Sequence, residues 1–167
     1  MRALQRAGYK VSVLVKDSGQ ADVVDCEGIT IYKIPDSSNR GVRGLRFFYP
    51  RMSDIVRLLG RISPDIVFMQ TAGEQVASAA LYATLAGKRF VFAGASDPDF
   101  ALGPLPGMPP QHAFMYRLGL RAAHAVIAQN TAQLKMLKDH FGWDGHLIQN
   151  GYDEANAKPG NFGGHIL

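Results

Sequence analysis

The sequence predicts an α/β fold, a doubly wound parallel sheet with helices covering both faces. Three observations predict it. Residues 66–69, 89–93 and 125–128 are short apolar runs, each with the length and composition of a strand buried on both sides. Each is followed by a polar loop and then a segment with helical periodicity. Gly87 and Gly142 fall where two of those helices should stop, because glycine takes the left-handed conformation without strain. Strand, loop and helix repeated in this order build a parallel sheet through right-handed crossovers.

Composition sets the outer limits. A chain of 167 residues with 47% hydrophobic content suits one domain with a real core and excludes disorder as the default. Cys26 is the only cysteine, so no internal disulfide is possible and a reducing compartment is the simpler reading. The Ala-rich stretch 76–87 is too short to span a bilayer, and residues 1–15 carry no signal-peptide pattern. The net charge of +4 is unevenly spread. Residues 39–62 hold six arginines (Arg40, Arg43, Arg46, Arg51, Arg57 and Arg61) against Asp54, a net +5 that leaves the remainder near −1. The body is neutral and carries one basic patch.

In chain order, residues 3–7 read as the end of a helix stopped by Gly8, followed at once by a strand over 10–15. A doubly wound domain usually opens with a strand and a glycine-containing loop, so the reading is of a chain without its natural first strand. Residues 29–34 alternate as a strand that Pro35 ends, and 36–49 form a long polar loop. Pro50 suits the first turn of a helix with an apolar stripe of Met52, Ile55, Leu59 and Ile62. After strand 66–69, Thr71 and Glu74 have capping-box spacing, which predicts a helix over 72–86. Strand 89–93 leads to a turn around Pro98 and a proline-rich loop, then a helix over 111–123. Asn130 and Gln133 are spaced to cap a helix over 131–141, and residues 146–149 read as a last strand closed by Asn150 and Gly151.

Right-handed crossovers bring the strand-to-helix loops to one edge of such a sheet. Gln70 and Thr71, then Ser96, Asp97 and Asp99, then Gln129 and Asn130 therefore share the carboxyl edge, where open α/β sheets bind ligands.

Several phrases resemble the N-terminal domain of group-1 (family 4-like) GT-B glycosyltransferases. Residues 4–15, Leu-Gln-Arg-Ala-Gly-Tyr-Lys-Val-Ser-Val-Leu-Val, resemble that family's first helix end and second strand, with Gly-Tyr for the usual Gly-His. Residues 63–70 resemble its strand beginning Pro-Asp and an Ile/Val pair. Residues 121–130 resemble its Arg-x-Ala-Asp strand, with His124 in the Asp position. His140-Phe141-Gly142 and residues 147–153 resemble its passage into an interdomain linker, with Gln149 for the common proline. The resemblance implies half of a GT-B fold with two Rossmann-like domains, and transfer of a sugar from a nucleotide-sugar donor to an acceptor with retention. It implies an acceptor-side domain over residues 1–153 and a linker into an absent second domain over 154–167. Asn150 and Gly151 then shape the linker. The donor half would be missing, so this fragment alone should bind no nucleotide-sugar and be inactive as a hexosyltransferase.

Asp97 and Asp99 are the catalytic candidates, since a carboxylate there can orient sugar hydroxyls or take a proton; an ordinary turn around Pro98 is the alternative. Gln70, Thr71, Ser96, Gln129 and Asn130 are candidate substrate contacts, with helix capping as the other reading of Thr71 and Asn130. Arg40, Arg43, Arg46 and Arg51 interleave with Phe47, Phe48 and Tyr49 and have three readings, of which nucleic-acid binding is the least supported. They form a solvated face, or they attract an anionic membrane or a phosphate-bearing, lipid-linked acceptor at the cytoplasmic face of the membrane. No nucleic-acid motif is present. The five histidines show no metal-ligand spacing, and no phosphate-binding glycine loop occurs. The rival reading is a non-catalytic Rossmann-like binding domain, or a subunit that pairs with a partner chain supplying donor chemistry.

Overall fold

The computed structural model describes residues 2–36, 47–102, 105 and 107–149. Its strands form two sheets. In the first, β1 (Ser12–Lys16) runs parallel to β3 (Ile29–Ile34), and β2 (Val23–Cys26) pairs antiparallel on the far side of β3. The turn between β2 and β3 is Glu27-Gly28, with φ of 53° and 79°. Two consecutive positive-φ residues make the tight hairpin turn whose twist matches its strands. Cys26 thus lies at the end of an exposed strand.

The second sheet is wholly parallel, in the order β4 (Ile66–Gln70), β5 (Arg89–Ala93), β6 (Ala125–Ala128), β7 (His146–Leu147). The last strand is shorter than the expected 146–149. Register places Val67 beside Phe90, and Met69, Phe92 and Val126 in a row on the same face. That face is the core: Phe90 and Phe92 are fully buried, and Phe92 meets Phe100 and Tyr116 edge to face at 6.3 and 5.7 Å. Each such side chain removed from water contributes about 1.5–3 kcal/mol. The opposite face leaves Ile66 and Phe68 more than half exposed or nearly so, at 50% and 58%.

Among the described residues five α-helices accompany the sheets: α1 (Arg2–Arg6), α2 (Ser53–Ile62), α3 (Gln75–Ala86), α4 (Pro110–Arg121) and α5 (Thr131–Phe141). α2 joins the sheets, since Ile55 and Leu59 lie in the core against which Leu14 and Ile34 pack. α3 is alanine-rich and buried along most of its length, and α4 lies close against it at Gly119. A Cβ at Gly119 would stand 2.8 Å from the Ala77 backbone, so only glycine allows this approach.

Two helix starts differ from expectation. Pro50 is buried in an irregular turn, Phe47–Met52, and α2 begins only at Ser53. The residue before a proline avoids helical angles, and Tyr49 is extended at φ −137°, ψ 124°. α3 begins at Gln75 rather than 72, and Thr71 is not its cap. Thr71 instead has φ 78°, and its N–H continues the sheet by donating to the Ala93 carbonyl at 3.1 Å.

Candidate functional site

The loop after β5 is built around one carboxylate. It begins at Gly94, where an added Cβ would run into the Phe100 ring. A short 3-10 turn, Asp97–Phe100, follows with Ser96 as its N-cap. Asp99 is 3% exposed, and its Oδ2 accepts from the Ala95 N–H at 2.7 Å and the Ser96 N–H at 3.3 Å. The Ser96 hydroxyl donates to its other oxygen at 3.1 Å. The Tyr116 phenol donates to the Asp99 carbonyl at 2.7 Å. Burial, and next the Asp99 charge, push the Tyr116 pKa far above its ordinary value, so the phenol stays a donor. Asp99 therefore fixes the shape of this turn.

Asp97 faces a different way. Its Oδ1 accepts from the Gln133 Nε2 at 3.1 Å, across from the first turn of α5. Gln133 is buried, and its Oε1 accepts from the Gln129 N–H at 2.9 Å. Its own N–H donates to the Asn130 side chain at 2.7 Å, the cap expected from the sequence. The reciprocal bond lands one residue earlier than in a regular capping box, on Gln129 rather than Asn130. One residue thus ties together Asp97, Gln129 and Asn130, from the loops after β5 and β6. Sequence spacing marked Gln133 as a capping residue but gave no sign of its bond to Asp97.

Gln70 and Thr71 stand at the end of β4, beside β5 in the same sheet. They share the carboxyl edge with the Asp97 loop. Toward the first sheet the edge opens into a cavity of about 410 Å³. Lys16 and Asp17 from the end of β1, Arg51, Glu74 and Gln75 line it. Glu74 binds Arg51 Nη1 at 3.3 Å and His112 Nδ1 at 3.1 Å, so this one lining carboxylate meets two basic side chains. Of these residues the sequence reading singled out only Arg51 as a contact. Lys16, Glu74 and His112 are far apart in sequence and match no motif spacing.

Arg40, Arg43, Arg46, Asn150 and Gly151 lie outside the described residues, as do the linker residues 154–167. Among the described residues no helix is long and apolar enough to cross a membrane, and no group of three His, Cys, Asp or Glu is placed to hold a metal ion.

A parallel sheet flanked by helices, with polar loops gathered at its carboxyl edge, is a Rossmann-like half of a GT-B fold. A family model described as Glycosyl transferase 4-like matches residues 1–130, and the chain belongs to that family. No curated protein matches it.

Proposed function

We propose that this chain is the acceptor-side domain of a glycosyltransferase that moves a sugar from a nucleotide-sugar donor to a glycan or lipid-linked acceptor with retention. Donor binding falls to a second domain or a partner chain, and residues 1–167 alone are inactive. The observation that carries this reading is the carboxyl-edge cavity, where Lys16, Arg51 and Glu74 of separate elements converge beside the polar loop ends. Two cations (Lys16, Arg51) and three carboxylates (Asp17, Asp36, Glu74) in an open cleft suit an acceptor rich in hydroxyls, with Lys16 and Arg51 the groups that could meet a phosphate. Asp97 orients an acceptor hydroxyl, Asp99 holds the turn that presents it, and Gln70, Thr71, Ser96, Gln129 and Asn130 line the rim. Arg51 and the arginines before it favour an anionic acceptor headgroup at a membrane surface.

The test is saturation-transfer NMR of the chain against neutral sugars and their phosphates, beside a transfer assay with nucleotide-sugars. The expected result is binding of phosphorylated sugars, weakened by Arg51→Ala and Lys16→Ala, with no transfer by the chain alone. Transfer by the isolated chain, or tight nucleotide-sugar binding with no acceptor binding, contradicts the proposal.

A further inference from the structure

A second cavity adjoins the carboxyl-edge one, on the side of the first sheet. Its volume is about 480 Å³, and it shares Asp17, Pro35 and Asp36 with its neighbour. The two cavities follow α2. Ile55, near the start of that helix, lines the first, and Leu58, Arg61 and Ile62 line the second. The opposite wall comes from the β2–β3 hairpin. Val23 and Tyr32 are register partners there, and Tyr32 is also opposite Leu14 of β1. Side chains in one such row share a face, and this is the face on which Leu14 and Ile34 pack toward α2.

The lining has two parts. Val23, Tyr32, Leu58 and Ile62 supply an apolar patch that includes one flat ring. Among the described residues the polar part is three carboxylates, Asp17, Asp22 and Asp36, against Lys33 and Arg61. Lys33 Nζ lies 2.8 Å from Asp22 Oδ1 and 3.6 Å from Asp17 Oδ2, and donates to the Gln20 carbonyl at 3.1 Å. An ammonium has three protons to give, so Lys33 is occupied by groups of its own chain. Carboxylates only accept, so the cavity calls for a ligand that donates and carries no negative charge.

A pyranose ring has this double character. Its C–H face is apolar and fits against an aromatic ring, while the hydroxyls around its edge donate to carboxylates. We propose that this cavity is a second sugar subsite, which takes the sugar next to the one being extended. The inference rests on the reading of the first cavity as the acceptor site. It narrows the acceptor to a chain of at least two sugars, with a neutral sugar in the second position. A single sugar in the first cavity leaves the Tyr32 ring and the Asp22 carboxylate to water. Affinity therefore rises when the chain grows from one sugar to two.

The test titrates the 15N-labelled chain with glucose and with its α- and β-1,4-linked di- and trisaccharides, and compares glucuronate with its 1,4-linked dimer. Glucose should shift Lys16, Arg51 and Gln75 only. At least one neutral oligosaccharide should also shift residues 22–23, 32–33 and 58–61, and bind roughly tenfold tighter than glucose. The glucuronate dimer should gain nothing over the monomer. Tyr32→Ala should bring the oligosaccharide back to the affinity of glucose. Asp22→Asn reads the same loss at a side chain that is 88% exposed, where folding is not at stake. Shifts at Lys16, Arg51 and Gln75 with no gain from length and none around Tyr32 overturn the second subsite and leave the acceptor reading standing. An equal gain by the glucuronate dimer overturns the assignment of a neutral sugar. No saturable shift with any of these sugars overturns both readings.

Discussion

Gln133 donates to Asp97 across 3.1 Å, so the first turn of the helix after β6 holds the loop after β5 in place. The two residues are 36 positions apart, and no motif spacing links them. The bond makes the carboxyl edge a joined surface rather than a row of independent loop ends. It also separates two kinds of carboxylate. Asp99 is buried within its own turn, while Asp97 reaches across the edge.

Gln133→Ala removes a buried side chain and its two bonds, one to the Gln129 N–H and one to Asp97. It should cost about 1–3 kcal/mol, read as a lower denaturation midpoint in urea. Asp97→Ala should lower that midpoint less, and weaken sugar binding more, if the proposed acceptor site is correct. Equal effects of the two substitutions on both readouts would remove the distinction drawn between them.

Tyr116→Phe keeps the ring against Phe92 but leaves the Asp99 carbonyl without its donor. A loss of about 1–3 kcal/mol is expected near neutral pH. The pH dependence gives a second check. Burial raises the folded-state pKa of Tyr116, so its contribution is complete below the free-tyrosine value of 10.0 and is lost as pH rises above it. Alkaline titration of stability should therefore be shallower in Tyr116→Phe than in the parent chain. Parallel titration curves would contradict the assignment.

Thr71 is a β-branched residue at φ 78°, a conformation that costs of order 1–3 kcal/mol. Thr71→Gly should relieve it and raise Tm, by roughly 2–4 °C for each kcal/mol at this chain length. If the hydroxyl also contacts the acceptor, the same variant binds sugar more weakly while being more stable. A fall in Tm would show that the strain is not borne at this residue.

Gly119→Ala tests the helix pair. The new methyl group meets backbone atoms of Val76 and Ala77, which cannot move aside as a flexible side chain could. A destabilisation of about 1–3 kcal/mol is expected, seen by thermal or urea unfolding. An unchanged midpoint would mean that α4 can shift from α3 at little cost.

Much of the fold was legible because strong signals coincided. The strands at Ile29–Ile34, Arg89–Ala93 and Ala125–Ala128 and the helix Thr131–Phe141 have the bounds their apolar runs and end signals suggest. β2 was missed because Asp25 interrupts the apolar run of Val23–Cys26 and its turn is Glu-Gly, weaker than the Asn-Gly or Asp-Gly signal. The start of α3 was misread because Thr71 and Glu74 have capping spacing, whereas ladder pairing to Ala93 holds Thr71 in the sheet. The edge loops followed from handedness, but which side chains meet there did not. Glu74 with Arg51 and His112, and Gln133 with Asp97, are tertiary pairings that no local spacing encodes.

The central claim is that one edge of the sheets receives a sugar acceptor. The measurement that tests it most directly is a 15N chemical-shift map of the chain during titration with hexose phosphates. The account predicts saturable shifts confined to Lys16, Arg51, the loop 70–75 and the loop ends at 96–97 and 129–130. Shifts centred on the opposite edge, around Glu27, Pro64 and Lys88, or no saturable shift with any sugar phosphate, would contradict it.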